Sequence, residues 1–488
     1  MLAASWSGPL STLTSQFRAV QVTYRPTDTT HSSLSLLHNG LTSAANRPTV
    51  SVMSVTPGDD RSLRLLQALQ DQNQAVIDES FEAEDVRQWW VNNEVDLMKL
   101  HNPDVGNTTC LKYAVEFSDA TTVRRLLLAG ADVRAVYTCG CKLLTKACQS
   151  DVDASAKVRH LLQRDASLIN EPDCTGTTPL AKAAASGKVD IINLLIEHGA
   201  DVSKRNISVC DDSEVDRPAL HYACEKGQVA SIHALMVHGA DVEARDSEFE
   251  RTSLLVAAEF GHADCVETLL VYYSASVNAV DKLGQTALHW ACVKGHVSCI
   301  NILVDNGADI EARTRRGWTP LHWAAWCGHC HCVYALVKDH GASVNAVDKN
   351  GVTALHRSSQ QGHVSCIHAL VAALAADADS SSDDTEQTPL YEAAAVNNKP
   401  DCVKIPVNDY GASINVADKW GWTPLHNAAC AGHIEAVRAL TSYSHCDITI
   451  KASSWFVGTA IDIARRCKHE GIVRILEGRY KGIATIFF

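Results

Sequence analysis

From about residue 104 to residue 480 the chain alternates two kinds of apolar segment. One is short, with Leu and paired Ala side by side, as in "TPLHWAAWCGH" (319–329) and "TPLHNAACAGH" (423–433). The other spaces its apolar residues three and four apart, as in "VDIINLLIEHGADV" (189–202) and "VSCINILVDNGADI" (297–310), the pattern of an amphipathic helix. The first predicts a short, closely packed inner helix and the second an outer helix that covers it. Thr before each inner segment is an N-cap, and Pro, where present, sits at the first helical position, where its missing N–H costs nothing. A Gly closes the inner segment (Gly187, Gly227, Gly261, Gly295, Gly328, Gly362, Gly432), as a left-handed cap requires. A second Gly ends most outer helices, and a D-x-x-G turn (Asp281 to Gly284, Asp348 to Gly351, Asp418 to Gly421) leads into the next copy.

The inner segments start at Thr109, Lys142, Thr178, Pro218, Thr252, Thr286, Thr319, Thr353, Thr388, Thr423 and Thr459, with steps of 33 to 36 residues except 40 between Thr178 and Pro218. A pattern that returns at this period is a stack of identical supersecondary units. It resembles the ankyrin repeat, whose T-P-L-H-x-A signature, period, two glycines and turn all recur here together. The resemblance implies an all-α solenoid of helix-turn-helix units with β-turn fingers: about eleven units over 104–480, a degenerate unit at 61–103 and a short tail at 481–488. Residues 1–60 are Ser/Thr-rich and aperiodic and read as disordered.

Composition narrows the function. The formal charge of −13 argues against nucleic acid as main partner, because such proteins usually show a basic excess. No run reaches the roughly 18 apolar residues of a membrane span, and no signal-peptide pattern opens the chain. Eighteen cysteines then read as reduced, mostly core-filling thiols in the cytoplasm, with the nucleus as the other compartment open to the chain.

One stretch, "GWTPLHWAAWCGHCHC" (317–332), holds three Trp, three Cys and three His and looks like a metal or catalytic cluster. In register it separates into repeat positions. His322 is equivalent to His221, His289, His356 and His426; His329 to His262, His296, His363 and His433. Cys332 matches Cys265, Cys299, Cys366 and Cys402. The C-x₂-C of Cys327 and Cys330 raises a zinc site, but packed and surface thiols are the favoured reading, and no metal or cofactor is expected. Cys139 and Cys141, in the turn "TCGCK", offer a redox pair on similar grounds. No catalytic signature appears.

In the ankyrin family the turn tips and the exposed side of the inner helices line a concave partner-binding surface. Carried onto this chain, those positions hold Phe249 and Phe260, Lys282, Arg315, Arg316, Trp318, Trp326 and Lys349, and then Lys419, Trp420 and Trp422. Trp and Arg dominate binding hot spots, so Trp318 and Trp422 are expected to face a partner, while Trp290 and Trp323 are expected between layers. Basic tips on an acidic chain suggest a protein partner with a carboxylate-rich or phosphorylated segment. The expected function is a non-enzymatic scaffold or adaptor. The alternative is a substrate receptor of a ubiquitin ligase, for which no SOCS box is visible. The resemblance also implies that Asn278, Asn345 and Asn415, in "ASVNAVD" and "ASINVAD", fix turns and are candidates for hydroxylation.

Three departures from the repeat carry expectations of their own. The insert "DVSKRNISVCDDSEVDRP" (201–218) reads as an enlarged loop. The acidic "ADADSSSDDTEQ" (376–387) places Ser380 to Ser382 as a phosphorylation candidate. Pro406 falls inside an outer helix, where proline costs about 3 kcal/mol or more, predicting a broken or shortened helix.

Overall fold

The structure is a computed structural model; it describes residues 110–487 apart from Ala129, Thr138, 211–212, Asp384, Asn397 and 454–456. The expectations for 1–60 and 61–103 lie outside the described residues. Within them the chain forms eleven helix pairs. The first six are α1 Cys110–Phe117 with α2 Ala120–Leu128, α3 Leu143–Gln149 with α4 Ala154–Arg164, α5 Pro179–Ala185 with α6 Val189–Glu197, α7 Ala219–Glu225 with α8 Val229–Val237, α9 Ser253–Phe260 with α10 Ala263–Val271, and α11 Ala287–Lys294 with α12 Val297–Asp305. Then follow α13 Pro320–Cys327 with α14 Cys330–Tyr334, α15 Ala354–Gln361 with α16 Val364–His368, α17 Pro389–Val396 with α18 Pro400–Tyr410, α19 Pro424–Ala431 with α20 Ile434–Thr441, and α21 Ala460–Arg466 with α22 Glu470–Phe487. Helices α14 and α16 each continue into a wider π-helical turn (Ala335–Asp339, Ala369–Ala373). Each first helix packs on the first helices of its neighbours, and each second helix on the second. The result is the all-α repeat stack that the periodicity predicts.

The packing explains the invariance of the inner helix. Ala183 and Ala184, Ala257 and Ala258, Ala324 and Ala325, and Ala428 and Ala429 are all fully buried, and their small side chains let successive helices approach closely. Leu220, Leu254, Leu288, Leu321, Leu355 and Leu425 fill the space between layers. The outer helices contribute pairs such as Ile191 and Leu195 or Ile300 and Leu303. Truncating any of these leucines to Ala costs about 2–5 kcal/mol.

The two recurrent histidines clamp the layers polar-to-polar. His289 is fully buried; its Nδ1 accepts from the Thr286 N–H at 3.1 Å, and its Nε2 donates to the Trp318 carbonyl of the next unit at 3.1 Å. His322, His356 and His426 repeat both bonds, to Val352, Gln387 and Ile450. The side chain thus completes a capping box with the N-cap Thr and also ties one unit to the following finger. The second histidine reaches backwards. His329 Nε2 donates to the Val293 carbonyl at 3.0 Å, and His262, His296 and His363 do the same one unit apart. Gly295 is needed for two reasons: its φ is +84°, and a Cβ there would sit 2.7 Å from His329 Nδ1. Cap glycine and following histidine interlock across the unit boundary.

Four expectations are corrected. The insert at 201–218 contains an antiparallel hairpin rather than an irregular loop: β1 Asn206–Cys210 pairs with β2 Ser213–Arg217. Its base is held by Asn206, whose Oδ1 accepts from Thr178 N–H at 2.7 Å and whose Nδ2 donates to the Arg217 carbonyl at 2.7 Å. Helix α18 runs unbroken from Pro400 to Tyr410 through Pro406. Cys402, Val403, Pro406 and Val407 are buried there, so packing against α16 and α20 offsets one missing hydrogen bond. Residues 481–487 are not a separate tail but the end of α22, and Tyr480 Oη donates back to the Ile448 carbonyl at 3.1 Å. Ser382, finally, is buried at 5% exposure. It takes the place of the turn Asp, its Oγ accepting from the Gln387 N–H at 3.2 Å, so it does not offer its hydroxyl to an enzyme.

Candidate partner-binding face

The fingers between successive units are turns closed by the side chain of Asp. Asp281, Asp348 and Asp418 each accept from two backbone N–H groups of their own turn: Leu283 and Gln285 at 2.8 Å both, Asn350 and Val352 at 2.8 and 3.2 Å, Trp420 and Trp422 at 2.9 and 2.8 Å. Neighbouring fingers are then joined through their backbones. Lys282 N–H donates to Phe249 O (2.8 Å), Arg315 to Leu283 (3.0 Å), Lys349 to Arg316 (3.4 Å), Asp383 to Asn350 (3.0 Å), Lys419 to Thr385 (3.2 Å) and Ser453 to Trp420 (3.1 Å). The row extends to the hairpin, where Ser247 N–H donates to Asp216 O at 3.2 Å. This finger-to-finger row fixes the side chains at the tips at one-unit intervals.

Those tips carry exposed Lys282, Arg315, Arg316, Lys349 and Lys419. Lys282 lies 5.3 Å from the Phe249 ring and donates to the Glu248 carbonyl. Lys419 lies 4.6 Å from the ring of half-buried Trp420. Phe249 is half-buried under Arg251, whose guanidinium is 4.9 Å from its ring. Phe260, the last residue of α9, is also half-buried, one side against the core.

Trp318 is corrected. It is 3% exposed, packed against Trp323 at 4.7 Å and Trp326 at 5.6 Å, with the Arg357 guanidinium stacked 4.3 Å from its ring. The reason is positional. Trp318 directly precedes the N-cap Thr319, and Trp323 is the fourth residue of the helix, the two places a hydrophobic staple joins. Trp422 precedes Thr423 in the same way, but its staple position is Asn427, and the indole is only half-buried. Trp326, near the end of α13, is half-buried as well, as is Trp323, while Trp290 is 4% exposed and donates its Nε1–H to Asp281 Oδ2 at 3.1 Å. Indole surface therefore comes from Trp323, Trp326, Trp420 and Trp422.

Two charged residues of the inner helices, Arg357 and Glu392, support the face and do not stand at the positions that the sequence singles out. Arg357, the residue after the motif His356, ion-pairs with Asp348 and donates to Gln360 Oε1 at 3.0 Å. Gln360 in turn donates to Glu392 of the next unit at 3.0 Å. Burial pushes the Glu392 carboxyl up against the pull of Gln360 and Arg357. Upstream, Arg251 is held between Asp246 at 2.8 Å and Glu259 at 2.6 Å. The signal was present: these charges replace Trp or Val at the equivalent positions of other units.

Asn278, Asn345 and Asn415 each accept from the backbone N–H of the next unit's turn, at Asp309 (2.8 Å), Asp377 (2.9 Å) and Asp447 (2.9 Å). The Cys327 and Cys330 thiols are half-buried, Cys332 is buried in the core, and burial pushes the Cys327 and Cys332 thiols up to about 12.

The family model for ankyrin repeats (three copies) matches this chain in seven stretches, most of them overlapping, that together run from residue 98 to residue 483. The chain belongs to the ankyrin-repeat family. Among curated proteins, it is similar to alpha-latrotoxin-Lg1a of Latrodectus geometricus (32% identical over 113 residues, 23% of this chain and 8% of that protein). It is also similar to human BCL-6 corepressor-like protein 1 (36% over 84 residues, 17% and 4%) and to the ankyrin repeat and KH domain-containing protein mask of Drosophila melanogaster (35% over 102 residues, 20% and 2%). The chain thus spans less than a tenth of the length of these relatives. Among solved structures, the ankyrin repeat domain of human ASB11 aligns with 27% identity and a TM-score of 0.39, covering 43% of this chain and 91% of that one. Ankyrin repeats are a protein-interaction architecture, and no described helix of this ankyrin-repeat chain is long and apolar enough to cross a membrane.

Proposed function

We propose that this ankyrin-repeat chain is a non-enzymatic scaffold or adaptor. Its recognition surface is the finger and inner-helix face between Phe249 and Trp422, which corresponds to the concave side in the family. The partner is a protein segment rich in carboxylates or phosphorylated side chains. The observation that carries this reading is the set of exposed Lys282, Arg315, Arg316 and Lys349 on three consecutive fingers, with Lys419 beyond them and half-exposed Trp326, Trp420 and Trp422 beside them. Cations held in a row meet an extended anionic peptide, and indoles supply the buried area that such contacts lack on their own. Asn278, Asn345 and Asn415 belong to this proposal only as hydroxylation candidates.

The test separates recognition from stability. Peptides bearing Glu-rich or phosphoserine sequences, with Lys-rich peptides as controls, are titrated against the wild type and against a variant with Arg315→Glu, Arg316→Glu and Lys349→Glu. The expected result is binding of the anionic peptides that weakens with salt, and a loss of at least about tenfold in the charge-reversed variant with an unchanged urea midpoint. Trp318→Ala is expected to behave oppositely: it should lose about 3–5 kcal/mol of stability while keeping its affinity when folded. Equal affinity of wild type and charge-reversed variant for every peptide contradicts the assignment.

A further inference from the structure

The fingers of the second and third described units differ from the rest in carrying sulfur. Aligned on their turn glycines, Cys139, Gly140 and Cys141 match Thr175, Gly176 and Thr177 of the next unit. Cys174 stands where Lys282, Arg315, Lys349 and Lys419 stand elsewhere. Cysteines of the helices, such as Cys265, Cys299 and Cys366, are buried in the core. Cys139 and Cys174 are exposed and Cys141 is half-buried, so a core-filling role does not account for them.

The backbone brings these three together. Tyr137 N–H donates to the Cys141 carbonyl at 2.9 Å and Gly140 N–H to the Tyr137 carbonyl at 2.7 Å, closing a tight turn that an antiparallel bridge between Val136 and Lys142 anchors. The facing turn is closed by Asp173 N–H donating to the Thr177 carbonyl at 3.0 Å. Cys174 packs so closely on the first turn that a Cβ at Gly140, whose φ is +79°, would lie 2.7 Å from the Cys174 Cβ. The three Sγ atoms lie within 4.8 Å of one another, with Cys141 and Cys174 at 3.4 Å. Three sulfurs around one tetrahedral zinc at about 2.3 Å stand about 3.8 Å apart, so small side-chain rotations are enough to place an ion between them.

We propose that Cys139, Cys141 and Cys174 form a three-thiolate site for a thiophilic d¹⁰ cation, zinc above all, which clips two adjacent ankyrin fingers together. Thiolate sulfur selects such ions over oxygen-seeking ones. Binding releases the three thiol protons to solvent, and the divalent ion with three thiolates leaves one net negative charge. Lys146, whose ammonium acts on Cys139, offsets part of it. Cys139 and Cys174 are exposed, which leaves a fourth tetrahedral position for water.

The experiment uses the full chain, reduced and free of tags, loaded with zinc chloride or cobalt chloride alone and passed over a weak chelator. The expected result is about one retained zinc per chain, together with the thiolate-to-cobalt charge-transfer absorption of a sulfur-rich tetrahedral site. Both signals should fall to background in Cys139→Ser and in Cys174→Ser and stay unchanged in Cys330→Ser. Far-ultraviolet circular dichroism checks that each serine variant keeps its helix content; should one unfold, the other decides. The proposal is overturned by a wild type that retains no zinc while reduced, by a Cys174→Ser chain that still retains it, or by a mass two hydrogens lower after reduction and dilution, which would mean that Cys141 and Cys174 close into a disulfide instead.

Discussion

His221, His289, His322 and His356 are the residues on which stability and pH meet. Burial lowers each of them from 6.5 to about 4 in the folded chain. The hydrogen bonds select the same neutral form, since Nδ1 of His289, His322 and His356 accepts an N–H and all four Nε2 atoms face a carbonyl. Between pH 4 and 6.5 the unfolded chain therefore binds more protons than the folded one. Stability is complete above 6.5 and falls as pH drops toward 4, by up to about 1.4 kcal/mol per pH unit for each histidine. Urea unfolding followed by circular dichroism at a series of pH values should show the midpoint flat from pH 8 to 7 and falling steeply below 6; a flat midpoint down to pH 5 would show that these rings do not stay neutral. Residue roles that return once per unit were legible in the sequence because recurrence identifies them: the His of the motif, the cap Gly and the buried cysteines. Trp318 was not, because its place beside the turn glycine Gly317 is also that of a finger tip. Its distance from Trp323 in the chain, N-cap minus one to helix position four, was the signal for an inward staple, and the same test leaves Trp422, opposite Asn427, at the surface.

At the level of elements, periodicity located every described helix pair, but three local decisions went to tertiary packing. Propensity alone breaks α18 at Pro406; stacking between α16 and α20 holds it together. The helix carries the cost of a proline in its interior, and Pro406→Ala, which restores a donor and removes the ring, is expected to raise the stability of the chain by about 1–3 kcal/mol. An unchanged or lower urea midpoint would mean that the ring is already accommodated. The insert at 201–218 shows the opposite failure. Two five-residue runs, "NISVC" and "SEVDR", are separated by two residues, the spacing of a hairpin, yet the acidic pair between them reads as loop in the sequence. Helix α22 runs past the end of the repeat pattern because the signal for its stop, a cap glycine, is missing there. Gly478 lies within the helix and does not adopt the left-handed conformation of the other caps.

Across the described units, each substantial contact between helices runs within a unit or between neighbouring units, so stability is set by intrinsic unit terms and nearest-neighbour interfaces. Residues that repeat are committed to those interfaces, and a ligand can be selected only by the side chains that differ from unit to unit and reach the surface. On that division we propose recognition at the finger row of Lys282, Arg315, Arg316, Lys349 and Lys419, and the histidines, glycines and Trp318 serve stacking. The measurement that tests it most directly is amide hydrogen exchange across the chain with and without the tightest-binding anionic peptide. The account predicts slowed exchange in the fingers at 281–286, 314–319, 348–353 and 418–423 and in the ends of α13 and α15, with the outer helices α12, α14 and α16 unchanged. Protection confined to the outer helices or to the hairpin at 206–217, with the fingers exchanging as before, would contradict it.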